Sequence, residues 1–285
     1  MANHSVGLLH PGAMGSAVGA AAVTAGSSVL WVSEGRSDSS RERAERAGLD
    51  DAGTLKAVVD RCGLIVCVCP PIAAVEVAEL VASLGFEGTY LDANAISPAR
   101  SNQIERVIQG SGGTYIDGSI IGGPPWKAGT TWMYVSGPQA ATAVECFGGS
   151  PLAVIDMANK IGAASAIKMA YAAYTKGRQA LVSAILAYAS SEGILDDLMD
   201  QWRLSQQDLA ASAEDRARSV TAKAWRFAGE MNEISQSFEN AGLPGGFHGA
   251  AAEIFESMAK FKDRAEPPEL SEIFTSILGA PSERQ

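Results

Sequence analysis

Short apolar runs alternate with helical stretches through the first half of the chain, and this alternation limits the fold more than any other feature. Residues 6–9, 28–32, 64–69 and 89–92 are brief, rich in apolar residues and bounded by turn residues. Residues 14–25, 38–48, 72–84 and 98–109 read as helices between them, and 115–117, 131–135 and 152–155 as further strands. Strands that are apolar on both faces must be covered on both faces, which requires a mostly parallel sheet between helical layers. After about Asp156 the texture changes. Residues 158–191 hold no proline and read as one long helix, followed by helical segments around 206–217, 220–241, 246–264 and 270–278. The expected architecture is α/β plus all-α. A doubly wound sheet domain (1–157) is joined through a long interdomain helix to an all-helical domain (158–285).

The 285 residues carry a formal charge of −10. Phosphate backbones require a clustered basic face, so a nucleic-acid partner is not expected. No apolar run approaches the roughly 20 residues of a membrane span. The alanine-rich start lacks a basic leader region, and Pro11, Gly12 and Gly15 interrupt it, so it reads as strand, turn and helix. A cytoplasmic protein is expected. The four cysteines are Cys62, Cys67, Cys69 and Cys146. Cys67 and Cys69 fall in the strand LIVCVCPP and read as small core residues. The three histidines stand at no ligand spacing to a cysteine pair, so no metal site is expected.

The turn after the first strand is HPGAMG. A dinucleotide fold places Gly-x-Gly-x-x-Gly here, for a tight turn, approach to the pyrophosphate and helix–strand packing. Gly12 and Gly15 fill the second and third positions, while His10 replaces the first. His10, Gly12, Ala13, Met14 and Gly15 are thus the candidate phosphate loop. At the end of the second strand, VSEGRSDSSR offers Arg36, Ser37 and Arg41 to a ribose 2′-phosphate, whereas Glu34 would suit a free 2′-hydroxyl. The balance favours NADP(H) over NAD(H).

With this turn, the ordered segments GLLHPGAMG, LDANAISPA, DGSIIGGPP and GAASAIKMAYAAYTKG resemble the β-hydroxyacid dehydrogenase superfamily, which includes 6-phosphogluconate dehydrogenase and the imine reductases. The late segment GLPGGFHGAAAEIFE looks most like a branch with its own C-terminal helical domain. The resemblance implies a substrate loop Asp-x-x-x-Ser-Gly-Gly, matched by Asp117, Gly122 and Gly123. Ile121 stands at the serine position, with Ser119 as a possible substitute. It implies a catalytic segment Gly-x-Gly-x-x-x-Lys-x-x-x-Asn, matched by Gly162 and Lys168, with Ala164 and Ala172 replacing the second glycine and the asparagine. It also implies Asn94 beside the nicotinamide, Cys69 and Pro70 walling the cofactor, and a homodimer with interlocked C-terminal helices. Loss of the serine and asparagine weakens the case for a simple β-hydroxy acid. Imine reductases generally lack the lysine, so its retention favours carbonyl chemistry.

The residue chemistry is coherent by itself. Hydride transfer to a carbonyl needs a proton donor for the oxygen, and a lysine on a helix can serve. Lys168 is the candidate, with Ala172 and Thr175 on or near its helical face. Trp126, after the GGPP turn, is a candidate pocket wall, and His248 a candidate substrate ligand or interface residue. The substrate expected is a small molecule.

Overall fold

A computed structural model describes residues 5–158 and 160–279. The chain divides into two compact units, Met1–Met169 and Ala170–Gln285. The division falls inside the long helix rather than at the change of texture near residue 157.

The first unit is an eight-stranded sheet. Its strands are β1 (Ser5–Leu9), β2 (Ser28–Trp31), β3 (Asp50–Asp51), β4 (Leu64–Cys67), β5 (Thr89–Asp92), β6 (Thr114–Gly122), β7 (Thr131–Ser136) and β8 (Ala153–Asp156), in the order β3-β2-β1-β4-β5-β6-β7-β8. All pairs are parallel except β6–β7. The helices are α1 (Ala13–Thr24), α2 (Asp38–Arg46), α3 (Leu55–Arg61), α4 (Ala74–Ser83), α5 (Pro98–Gly110) and α6 (Ala140–Cys146). Each sheet face carries its own core. Val6, Leu8, Val18, Val66 and Ile116 lie in one, and Leu9, Ile65, Val77, Tyr90 and Ile104 in the other. The period-two alternation of strand side chains sends neighbouring residues to opposite cores. Local signals start the helices: Thr54 caps α3 through Ala57 N, and Ser97 caps α5 ahead of Pro98.

The long helix α7 (Ala163–Ser191) begins later than its sequence pattern indicates, and position 159 lies outside the described residues. The second unit continues with α8 (Leu195–Ser205), α9 (Gln207–Ala210), α10 (Ala213–Asn240), α11 (Gly246–Ser257) and α12 (Leu270–Leu278). α10 packs against α11 and α12, burying Ala224, Met231, Ile234, Phe255 and Ile273. It is one continuous helix where the sequence suggests two segments. A reciprocal capping box between Glu269 and Glu272 starts α12.

Candidate functional site: a dinucleotide crevice and a buried polar hub

The chain leaves β1 toward β2 and β3, then returns to the other side of β1 with β4. The carboxyl ends of β1 and β4 therefore flank the switch point, where open α/β sheets bind ligands. The glycine turn lies there. Gly12 N donates to His10 O at 2.7 Å, closing the turn, and His10 takes φ +69°. Gly12 is the N-cap of α1, no side chain caps that helix, and its first turn holds no acidic residue. A Cβ on Gly12 would meet nothing within 4 Å, whereas one on Gly15 would lie 2.2 Å from His10 O. Gly15 thus permits close packing, while Gly12 leaves open space before a helix N-terminus whose N–H groups attract an anion. This arrangement fits a pyrophosphate. Of the other loop candidates, Ala13 is exposed and Met14 packs on the core.

The loop after β2 brings Arg36 and Ser37 together. Arg36 N donates to Ser33 O at 3.1 Å, while its Nε is buried without a partner. The Ser37 hydroxyl pairs with those of Ser39 and Ser40. Arg41 donates to Ser33 O at 3.0 Å and lies 3.8 Å from Asp51. Arg43, on α2, donates from Nε to Pro11 O at 3.2 Å. It ties α2 to the glycine turn.

Asn94 braces this edge of the sheet. It is buried; its Oδ1 accepts from Cys69 N at 2.6 Å, and its Nδ2 donates to Asp92 at 2.9 Å and to Cys67 Sγ at 3.5 Å. These bonds make Asn94 a positioning residue for the loop after β4. Burial drives the Asp92 carboxyl well above the usual carboxylate range. Cys67 is buried, Cys69 is partly exposed, and their sulfurs are hydrogen-bonded at 3.6 Å. Pro70 is exposed. An imidazole nitrogen of His10 joins both sulfurs in a group whose members lie within 4.8 Å of one another. Strand register, rather than sequence spacing, assembles this group.

Asp117, on β6, is wholly buried and accepts from Ser101 Oγ (3.0 Å), Ser136 Oγ (2.9 Å), Gly162 N (2.9 Å), Ser165 N (3.1 Å) and Ser165 Oγ (2.6 Å). One carboxylate thereby joins α5, β6, β7 and the start of α7, where a helix N-terminus favours it. Lys168, half-buried on α7, donates from Nζ to Ile120 O at 2.6 Å. It therefore reaches the sheet rather than extending into solvent. Ser119 does not replace the missing serine: its hydroxyl is buried and donates to Ala164 O. Ile121 is buried, while Gly122, Gly123 and Trp126 are exposed beyond it. A Cβ on Gly122 would lie 2.3 Å from Thr130 O, and the residue takes φ +122°.

In the second unit, Ala172 is buried and Thr175 Oγ1 donates to Tyr171 O at 3.0 Å. Lys176 pairs with Glu230, both largely buried, and lies 4.8 Å from the Phe227 ring centroid. His248 is buried between Phe238 and Phe247, with ring centroids at 4.4 and 5.2 Å. Burial lowers its pKa from 6.5.

The sheet order and the glycine turn define a dinucleotide-binding protein with a helical second unit. Residues 5–146 match the NAD binding domain of 6-phosphogluconate dehydrogenase, and residues 189–258 match a domain of unknown function, DUF1932. The chain thus combines an NAD binding domain of the 6-phosphogluconate dehydrogenase type with a DUF1932 segment behind it. The conserved protein MTH1747, of unknown function and described as similar to 3-hydroxyacid dehydrogenases, is 25% identical, with TM-score 0.68 over 90% of this chain and 97% of that one. The 3-hydroxyisobutyrate dehydrogenase of Mycobacterium tuberculosis shares the fold at TM-score 0.70 and 16% identity, over 97% and 99% of the two chains. Imine reductases share it at lower TM-scores. An uncharacterized 28.5 kDa protein of Methanothermus fervidus is 28% identical over 59% of this chain, a match spanning 64% of that relative's length. Among the described residues no helix is long and apolar enough to cross a membrane.

Proposed function

We propose that the chain is an NADPH-dependent oxidoreductase acting on a small carbonyl or hydroxy compound, with Lys168 donating and accepting the proton. The observation that carries this reading is the Lys168 amine lodged at Ile120 O, 2.6 Å away. β6 runs parallel to β5, so its carboxyl end lies on the same sheet edge as the glycine turn. The dinucleotide, when bound, supplies or takes the hydride. Gly12 and the α1 N-terminus would hold its pyrophosphate, and Arg36, Ser37 and Arg41 would hold the 2′-phosphate. Lys168 releases its proton to the reacting oxygen in one direction and recovers it in the other. Asp117 fixes the start of α7 and so the reach of that amine.

The test follows reduced-nicotinamide absorbance over a panel of 2-oxo acids, semialdehydes and cyclic imines. Oxidation with a carbonyl compound, abolished in Lys168→Ala with NADPH affinity intact, is the expected result. Unimpaired turnover in that variant removes the role from Lys168. Oxidation with imines alone makes the chain an imine reductase, a reading that the apolar Ile121 and Ala172 favour. Cofactor binding without turnover on any class makes it an NADP(H) sensor.

A further inference from the structure

The sequence separates His10 from Cys67 and Cys69, but the fold brings them together. β1 and β4 pair in parallel register with Leu9 opposite Cys67, and Val68 N donates to Leu9 O at 3.3 Å. His10 therefore leaves β1 beside the Cys67–Cys69 step. One imidazole nitrogen and both sulfurs lie within 4.8 Å of one another. The sulfurs are 3.6 Å apart. Tetrahedral coordination with Zn–S bonds of about 2.3 Å places two sulfurs about 3.7 Å apart, so they already stand at ligand separation. His10 Nδ1 is buried without a hydrogen-bond partner, an unmet need in a native interior. Asn94 holds both cysteines, through Cys69 N and Cys67 Sγ, as outer residues orient metal ligands.

We propose that His10, Cys67 and Cys69 bind a thiophilic divalent ion, Zn²⁺, with water in the fourth position. Two sulfurs and an imidazole select zinc over magnesium or calcium. Among the described residues no further His, Cys, Asp or Glu joins the group, which leaves one coordination place open. Cys67 closes the inner side, while Cys69 and His10 are partly exposed and give the ion its entry. The site shares His10 and Cys69 with the candidate cofactor crevice, so the ion is tested apart from the dinucleotide.

Co²⁺ added to the reduced full chain is the probe, with no dinucleotide present. One ion per chain is expected, with sulfur-to-cobalt charge-transfer absorption that Zn²⁺ abolishes by displacement. Cys69→Ser and His10→Gly should each weaken Co²⁺ binding at least about tenfold. Cys62→Ser and Cys146→Ser should leave it unchanged. Glycine suits the positive φ at position 10, so loss of the ion in His10→Gly does not reflect misfolding. No charge-transfer absorption in the natural chain overturns the site. So does absorption that survives Cys69→Ser, an unchanged affinity in His10→Gly, or sensitivity to Cys146→Ser alone.

Discussion

Arg36 is the residue at which the proposed preference for NADPH is tested. Its Nε is buried without a partner at the end of β2, beside a cluster of serine hydroxyls. Arg36→Ala should weaken NADPH much more than NADH, measured as the ratio of their dissociation constants; equal weakening places the 2′-phosphate elsewhere. Gly15 answers to sterics. A methyl group 2.2 Å from His10 O forces the turn apart, so Gly15→Ala should lose dinucleotide binding, read by fluorescence titration. His248 answers to pH. Burial lowers its folded pKa from 6.5, so below that value the unfolded chain binds the proton more readily. Its contribution to stability is whole above about pH 6.5 and falls as pH drops toward the folded value. Thermal melts should therefore show a smaller loss of Tm between neutral and mildly acidic pH in His248→Gln than in the natural chain.

Among the elements, the strands were the most legible in the sequence. β1, β2, β4 and β5 follow their apolar runs closely because burial on both faces leaves little room for other residues. β3 is a two-residue exposed edge of Asp50 and Asp51, which no hydrophobic pattern marks. The sequence reading also passed over α3, α6 and α8. The first two are seven residues each, too short for periodicity to register, and α8 fully buries only Met199. Lys168 was legible as a lysine set among apolar residues, whereas the Asp117 hub was not, because its partners come from three other elements, α5, β7 and the start of α7. Replacing Asp117 by Ala strands several buried donors at once and should cost at least about 3 kcal/mol in urea unfolding. In the second unit, Lys176→Met leaves Glu230 buried and unpaired, and should cost about 3–5 kcal/mol. The double variant Lys176→Met with Glu230→Leu should recover much of that loss.

At the level of the whole molecule, the homodimer that the family resemblance implies is open to test. Tyr171, Tyr174, Leu181 and Tyr188 are exposed along α7, at spacings of three, seven and seven residues. Such a seam suits a partner helix. Light scattering should give twice the 29.6 kDa chain mass, and Tyr174→Glu with Tyr188→Glu should return the single-chain value. The helix has a further property. The limit between the two compact units, after Met169, falls inside α7. Each residue advances an α-helix by about 100°. One residue inserted after Met169 would turn everything beyond it by more than a quarter circle, while seven would restore the phase to within about 20°. Insertions of about seven, eleven or eighteen residues are therefore the ones that keep the helical phase of α7 at that point.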